Sequence, residues 1–438
     1  MTRRHACALL AAFTALIIAV STGIYLAARE ASARTEARDT SLPADRTPHK
    51  PAAPASTGAW VGSWAAVPSG AEPRTERTGL AGRSIRNVVH TSVGGTAARV
   101  TLSNYYGQQP LHITSASVAV AADDNTAEAL PETLRPLTFS GARAVTVPPG
   151  GQVVSDAVAL RVPAASDLLV TTYSPTPSGP VTYHRHARQT SYLATGDHAL
   201  DPQGLAYTER TPFWRYVTAL DVLDKDARGT IVVIGDSLTD GVTSTPDADR
   251  RWTDVLAGRL GDRYGIANAG LSGNQLLTDG VGRPADSPSG LNRFQRDALS
   301  RPNTKAIVVV LGINDILRDP DGTPDPAAIT AGLRTLVSRA HARGIPVVGA
   351  TLMPFEGHLG YDGVRETARQ AVNTEIRAGG VFDAVVDFDK ALRDPYAPRR
   401  LAEQYDSGDH LHLNDAGYRR MAQTFDLTAL ETNGTARL

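Results

Sequence analysis

Cysteine is almost missing. The 438 residues hold one, Cys7, inside an apolar N-terminal segment. A single thiol makes no intramolecular disulfide and no thiolate metal site, and loss of that segment would leave no thiol at all. Charge of either sign is not in excess. There are 44 Lys and Arg against 45 Asp and Glu, a formal net charge of −1. With no long basic stripe, nucleic acid is excluded as the main partner. No internal repeat is present, and no glycine-rich phosphate loop follows a strand. Clustered metal ligands are also lacking. "HRH" (His184 to His186) has no further ligand near it and is read as strand-surface residues or substrate contacts. "DPDGTPD" (Asp319 to Asp325) lacks the Gly and Glu spacing of an EF-hand and is read as a solvated loop. No metal and no organic cofactor are therefore expected.

What is present divides the chain into parts. Arg3 and Arg4 precede Ala6 to Ala28, which carries no charge, and Ala31-Ser32-Ala33 offers a small-residue cleavage site. That is the pattern of an export signal. The apolar run is also long enough to span a bilayer. Residues 1–33 are thus expected to be a signal peptide or an uncleaved N-terminal membrane anchor. The protein would be secreted, or held at the membrane by this segment alone. Residues 34–57, rich in Ala, Pro, Ser, Thr and charges, read as a disordered linker.

From Trp60 to about Leu223 the texture is β. Ala98–Tyr106, Leu111–Ala121, Val153–Val162 and Leu168–Ser174 are short runs with partial alternation, separated by Gly and Pro turns. A β-sandwich is expected over residues 58–228. After Asp224 strand-like and helical stretches alternate. The strands fall at Ile231–Ile234, Ile266–Ala269, Ala306–Leu311, Pro346–Ala350 and Ala384–Val386. The helices between them include Arg251–Arg263, Pro326–Arg343 and Val364–Arg377. This βαβα order implies a parallel sheet covered on both faces over residues 229–438.

Four segments sit where chemistry would be placed. "TIVVIGDSLTDG" (Thr230 to Gly241) carries a buried strand into Gly-Asp-Ser. "NAGLSGN" (Asn268 to Asn274) and "LGINDI" (Leu311 to Ile316) follow the second and third strands. "SGDHLHLNDAGY" (Ser407 to Tyr418) precedes the last helix. In an open parallel sheet such exits share one edge, where ligands bind. Asp236 and Asp315 are read as loop or cap residues, and Thr239 as a cap for the turn after Ser237. Asn268 and Gly270 are read as shaping the second exit.

These four blocks, in this order from Thr230 to Thr428, resemble the GDSL or SGNH hydrolases. The resemblance implies Ser237, Gly273, Asn314 and His412 as the Ser-Gly-Asn-His quartet, with Asp409, three residues before His412, as the acid. It implies a three-layer α/β/α domain with a five-stranded parallel sheet, here preceded by an all-β sandwich. Ser237 would be the nucleophile, His412 its base and Asp409 the group that orients the base. The Ser237 N–H, the Gly273 N–H and the Asn314 amide would bind the oxyanion. One departure is Leu413, where family members often have Pro.

The chemistry agrees with the residue types. A serine hydroxyl needs a base to become a nucleophile, and His titrates near operating pH. A carboxylate on its second nitrogen fixes the tautomer. Spacing selects His412 over His410: Ser407 lies three residues before His410, and an adjacent Asp409 points away from it. The expected activity is an exported esterase acting on carboxylic, especially acetyl, esters through an acyl-enzyme. Acetylated polysaccharide or lipid would be the partner. The same residues serve lipases, phospholipases and acyltransferases, and a silent glycan-binding fold is the alternative of another class. The sandwich is expected to wall the cleft without supplying chemistry.

Overall fold

The structure is a computed structural model, and it describes residues 58–282 and 284–430. The expected signal or anchor (1–33) and linker (34–57) lie outside the described residues. Among the described residues no helix is long and apolar enough to cross a membrane.

The second half is built on five parallel strands: β1 (Gly229–Gly235), β2 (Tyr264–Gly270), β3 (Thr304–Val310), β4 (Val347–Ala350) and β5 (Ala384–Val386). Their order across the sheet is β2-β1-β3-β4-β5. Each expected strand is present, with ends moved by at most two residues. Alternation explains the layers. Val232, Ile234, Ile307 and Val309 face one side and pack against Ile329, Leu333 and Leu336 of the helix Pro326–His341. Ile231, Val233, Val308 and Val348 face the other and meet Trp252 and Leu256 of the helix Trp252–Leu260, and Tyr418 and Met421 of Asp415–Thr424. All of these side chains are buried, at roughly 1.5–3 kcal/mol for each large apolar one.

Polar caps set where the helices start. The Asp325 carboxylate accepts from Ala327 N (2.8 Å) ahead of Pro326, and Asp362 accepts from Arg365 N (2.8 Å) to start Gly363–Arg377. Asn414 accepts from Gly417 N to start the last helix. Strand order then decides where the chemistry collects. The chain leaves β1 for β2 on one side, and β3 lies on the other. The carboxyl end of β1 is therefore a topological switch point, where the loops part and leave a crevice.

The first half is antiparallel. One sheet has five strands, among them Ala59–Ala65, Gly95–Ser103 and Val217–Asp224. A second has six, among them Arg83–His90, Asp167–Ser174 and Ser191–Thr195. Val100, Leu102, Leu220 and Val222 of the first sheet share a core with Ile85, Val89, Val118 and Leu168 of the second, as in a sandwich. Two expected runs are split. Leu111–Ala121 breaks at Thr114, and Val153–Val162 breaks over Ser155–Ala157.

The described residues form one compact unit. Ala65 and Val67 of the sandwich are buried in the same core as β1 and β3. Gly62 N donates to Thr230 Oγ1 (2.8 Å), and Ile266 N donates to Ser92 Oγ (2.8 Å). The sandwich is thus hydrogen-bonded to β1 and to β2, the edge strand.

Candidate active site

β1 ends at Gly235, and the chain turns at once into a single helical turn, Ser237–Asp240. Asp236 makes the turn: its carboxylate accepts from Leu238 N (3.0 Å) as an N-cap. Ser237 is thereby held at the sheet's carboxyl edge, 9% exposed. His412 comes to it from the loop before the last helix, and its Nε2 lies 2.8 Å from Ser237 Oγ. The other ring nitrogen, Nδ1, lies 2.6 Å from Asp409 Oδ2. Asp409 Oδ1 accepts from His412 N (2.7 Å) and Leu411 N (3.0 Å), so a three-residue turn folds the acid back onto its histidine. Partial burial works against the Asp409 charge. The bonds from the His412 ring and from the two backbone N–H groups outweigh it and hold the pKa at about 2.

Asn314 is in the short helix Ile313–Leu317 after β3, and its Nδ2 donates to Asp236 Oδ2 (3.3 Å). Asp236 therefore does more than cap: it also holds the amide beside the nucleophile. Burial raises its pKa to about 6, opposed by the Leu238 N–H bond and the nearby His412. Gly273 follows β2 with φ +76°, a left-handed conformation natural to glycine, and a Cβ there would strike the Arg318 guanidinium. Ser272, the residue before it, donates from N (3.0 Å) and from Oγ to Asp240 Oδ2. Asp240 belongs to the helical turn of Ser237. All five residues singled out by sequence thus lie on one edge, each tied to the Ser237 turn directly or through one neighbour.

Sequence reasoning misplaced two residues, Thr239 and His184, and missed the partner of a third, His410. Thr239 Oγ1 has no hydrogen-bond partner and caps nothing; the residue bonds through its backbone, its N–H to Asp236 O (3.1 Å) and its carbonyl from Asn268 Nδ2 (2.8 Å). His184 is not on a strand surface. It is buried, with Nδ1 2.7 Å from Val67 O and Nε2 2.8 Å from Asp240 Oδ1. His410 has its own acid, Asp406, at 2.6 Å, four residues back where none was sought. Its φ of +62° turns it aside toward Gly357.

The readings of Asn268 and Asp315 as structural agree with their bonds. Asn268 accepts from Gly270 N and donates to Thr239 O, and Asp315 accepts from Leu276 N and Leu277 N. Arg293 gave no signal. It is fully buried and donates to Gly235 O and Ala269 O (2.8 Å each), binding the exits of β1 and β2 together. A nearby Asp297 balances its charge.

Away from this edge, His90, Asp167 and Asp249 offer ligand atoms within 4.8 Å of one another. His90 Nδ1 lies 2.9 Å from Asp167 and 3.1 Å from Asp249, so an ion pair already accounts for the cluster. An interdomain cavity of about 260 Å³ adjoins it, lined by Trp64, Trp214, His184 and Asp240 among others, but neither Ser237 nor His412 reaches that cavity.

Residues 233–420 match the model of the GDSL-like Lipase/Acylhydrolase family. No curated protein matches the chain. Among solved structures, a putative G-D-S-L lipolytic protein from Desulfitobacterium hafniense is 20% identical, covering 44% of this chain and 96% of its own (TM-score 0.35). Est24, a carbohydrate acetylesterase from Sinorhizobium meliloti, is 18% identical over 44% of this chain and 94% of its own (TM-score 0.36). An aryl esterase of M. smegmatis is 19% identical, with the same coverages (TM-score 0.35). Residues 233–420 thus carry a stretch that matches the GDSL-like lipase/acylhydrolase family, which supports an ester hydrolase.

Proposed function

We propose that this ester hydrolase is an exported serine esterase that removes short acyl groups, acetyl first among them, through an acyl-enzyme on Ser237. The observation that carries the reading is the unbroken chain Asp409–His412–Ser237, with links of 2.6 and 2.8 Å. His412 takes the Ser237 proton as the oxygen attacks the ester carbonyl. The Ser237 and Gly273 N–H groups and the Asn314 amide receive the negative charge on the carbonyl oxygen. His412 then gives its proton to the leaving alcohol. Water repeats the sequence, with His412 as base again, and releases the acid. Asp409, ionised well below neutral pH, stabilises the imidazolium at both steps.

The preference for a short acyl group rests on the same pairing of domains that suggests a polysaccharide substrate. Export rests on the charged and apolar pattern of residues 1–33, and a polysaccharide substrate on the pairing of a β-rich front domain with this hydrolase domain. The test is twofold. A fluorophosphonate probe should label Ser237, located by peptide mass spectrometry. Turnover on aryl esters should fall as the acyl chain lengthens from acetyl to octanoyl. Labelling elsewhere, or a preference for octanoyl, overturns the corresponding half of the proposal.

A further inference from the structure

We propose that His184, a residue of the sandwich, is a positioning residue for the oxyanion-binding loop of the hydrolase domain. The proposal rests on the reading of Ser237 as nucleophile and Gly273 as oxyanion donor given above.

His184 ends the short strand Thr182–His184 and lies 4% exposed at the junction of the two halves. Its ring stands between two acceptors, the Val67 carbonyl and the Asp240 carboxylate. A carbonyl oxygen has no proton to give and a carboxylate has none either, so both ring nitrogens must donate. The ring is then an imidazolium facing a carboxylate. Burial alone would neutralise it, but the charge of Asp240 and the two hydrogen bonds prevail and raise its pKa. Asp240 is correspondingly held ionised: its burial is outweighed by the charge and hydrogen bond of His184 and by Ser272.

The other oxygen of Asp240 carries the consequence. It accepts both the N–H and the hydroxyl of Ser272, and Ser272 immediately precedes Gly273. Gly270, at the start of the same loop, lies so close that a Cβ would come within 2.3 Å of Asp240 N. One carboxylate therefore fastens the loop of Gly273 to the helical turn of Ser237, and His184 fixes the orientation of that carboxylate. Arg251 cannot substitute. Its Nε donates to the Asp240 backbone carbonyl (3.2 Å) and its Nη2 to Ala187 O, which leaves the carboxylate to His184. Without His184, the Asp240 carboxylate is buried with one oxygen unpaired and is free to turn. The Gly273 N–H then loses its register with the Ser237 N–H. An error of about 1 Å in such a placement costs on the order of 10²-fold in rate.

The test uses the full chain and a small aryl acetate. His184→Ala is expected to lower kcat by about 10- to 100-fold, as for a displaced oxyanion donor. KM should change by less than about threefold, because ground-state binding does not need the oxyanion contact. A trifluoromethyl ketone, whose hemiketal oxyanion occupies the same place, should lose affinity by the same factor as kcat/KM. Asp240→Asn can donate from Nδ2 to a neutral His184 Nε2 and still accept from Ser272, so it should cost less than His184→Ala.

If His184→Ala does not fold, His184→Leu, which fills much of the ring's volume but offers no donor toward Asp240, takes its place with the same ranking. A folded His184 variant with kcat within threefold of the native protein overturns the proposal. So does a loss of kcat with undiminished ketone affinity, or an Asp240→Asn variant as damaged as His184→Ala. An error in the underlying reading would look different: the native protein would then show neither ester turnover nor labelling at Ser237.

Discussion

The molecule contains two tight histidine–aspartate pairs beside one serine, and they have opposite capacities. His412–Asp409 stands at the edge of the sheet. One ring nitrogen takes the acid and the other faces the Ser237 hydroxyl, a group that can give up a proton. His184–Asp240 is buried at the junction of the two halves, and its second nitrogen is committed to the Val67 carbonyl. The residue types and distances are nearly the same. What makes a base is the partner left for the second nitrogen. What makes a brace is that no proton remains to be moved.

The sharpest way to break this contrast is to remove the group that gives His412 its task. Ser237→Ala should lower kcat on an aryl acetate by about 10⁴–10⁶, the usual cost of losing a triad nucleophile. Thermal unfolding should be close to native, since one small side chain is deleted from a turn held by Asp236. A folded variant with more than a tenth of native turnover would show that the nucleophile lies elsewhere.

The next largest effect separates neighbours on one loop. His412→Ala should cost at least about 10³ in kcat, and Asp409→Asn should move in the same direction. His410→Ala should cost less than about 30-fold. His410 also has an acid at 2.6 Å, but its ring turns toward Gly357. Its effect should pass through the loop, as the loss of a few kcal/mol of local contacts would. Turnover at pH 8 decides, and a reversed ranking would make His410 the base.

How far the sequence could be read follows from the same contrast. The proposed catalytic pair, Asp409 and His412, is local, three residues apart on one loop, so motif and spacing point to it. The bracing pair spans 56 residues and two domains, and nothing in "HRH" announces it. The parallel strands were visible because each is a continuous apolar run. The strand Arg83–His90 was not, because Arg86 and Asn87 interrupt its pattern although both are buried. Arg86 is satisfied by Thr171 Oγ1 and the carbonyls of Ala127, His198 and Asp201, partners no local window contains. Arg293 was missed for the same reason, since its partners Gly235 and Ala269 lie far off in sequence, whereas the Asp406 carboxylate bonds within four residues, to Gly408 and His410, and was missed because only the three-residue spacing was sought.

Asp236 sharpens the contrast from the side of stability. It is a buried carboxylate with no histidine donating to it, and burial raises its pKa to about 6. The folded state therefore holds the proton more tightly than the unfolded one. The stability this gives is present in full below the ordinary carboxylate pKa near 4 and is lost as pH rises through about 6. Asp236→Asn removes the ionisation but keeps an acceptor for Leu238 N. It should be more stable than the native protein at pH 8, by up to about 3 kcal/mol, and indistinguishable at pH 4. Turnover should nevertheless fall about tenfold, because the new amide opposes that of Asn314, and a displaced oxyanion donor costs rate. Urea unfolding at the two pH values checks the sign. A variant less stable at pH 8 than at pH 4, relative to native, would contradict it.

The smallest effect is expected between the two pairs. Thr239 lies two residues after Ser237 and one before Asp240, fully buried, with its hydroxyl unpartnered against Gly235. A buried hydroxyl without a partner carries its desolvation cost and gains nothing in return. Valine has nearly the same shape and no such cost. Thr239→Val should raise the unfolding free energy by about 1 kcal/mol. It should leave turnover within about twofold, because the bonds of this turn run through Asp236, Asp240 and the backbone and not through this side chain. Unfolding and aryl acetate hydrolysis measured on the same sample settle it. A loss of more than about 1 kcal/mol would mean that the hydroxyl does find a partner in solution. The turn between base and brace would then be held by one more bond than the structure shows.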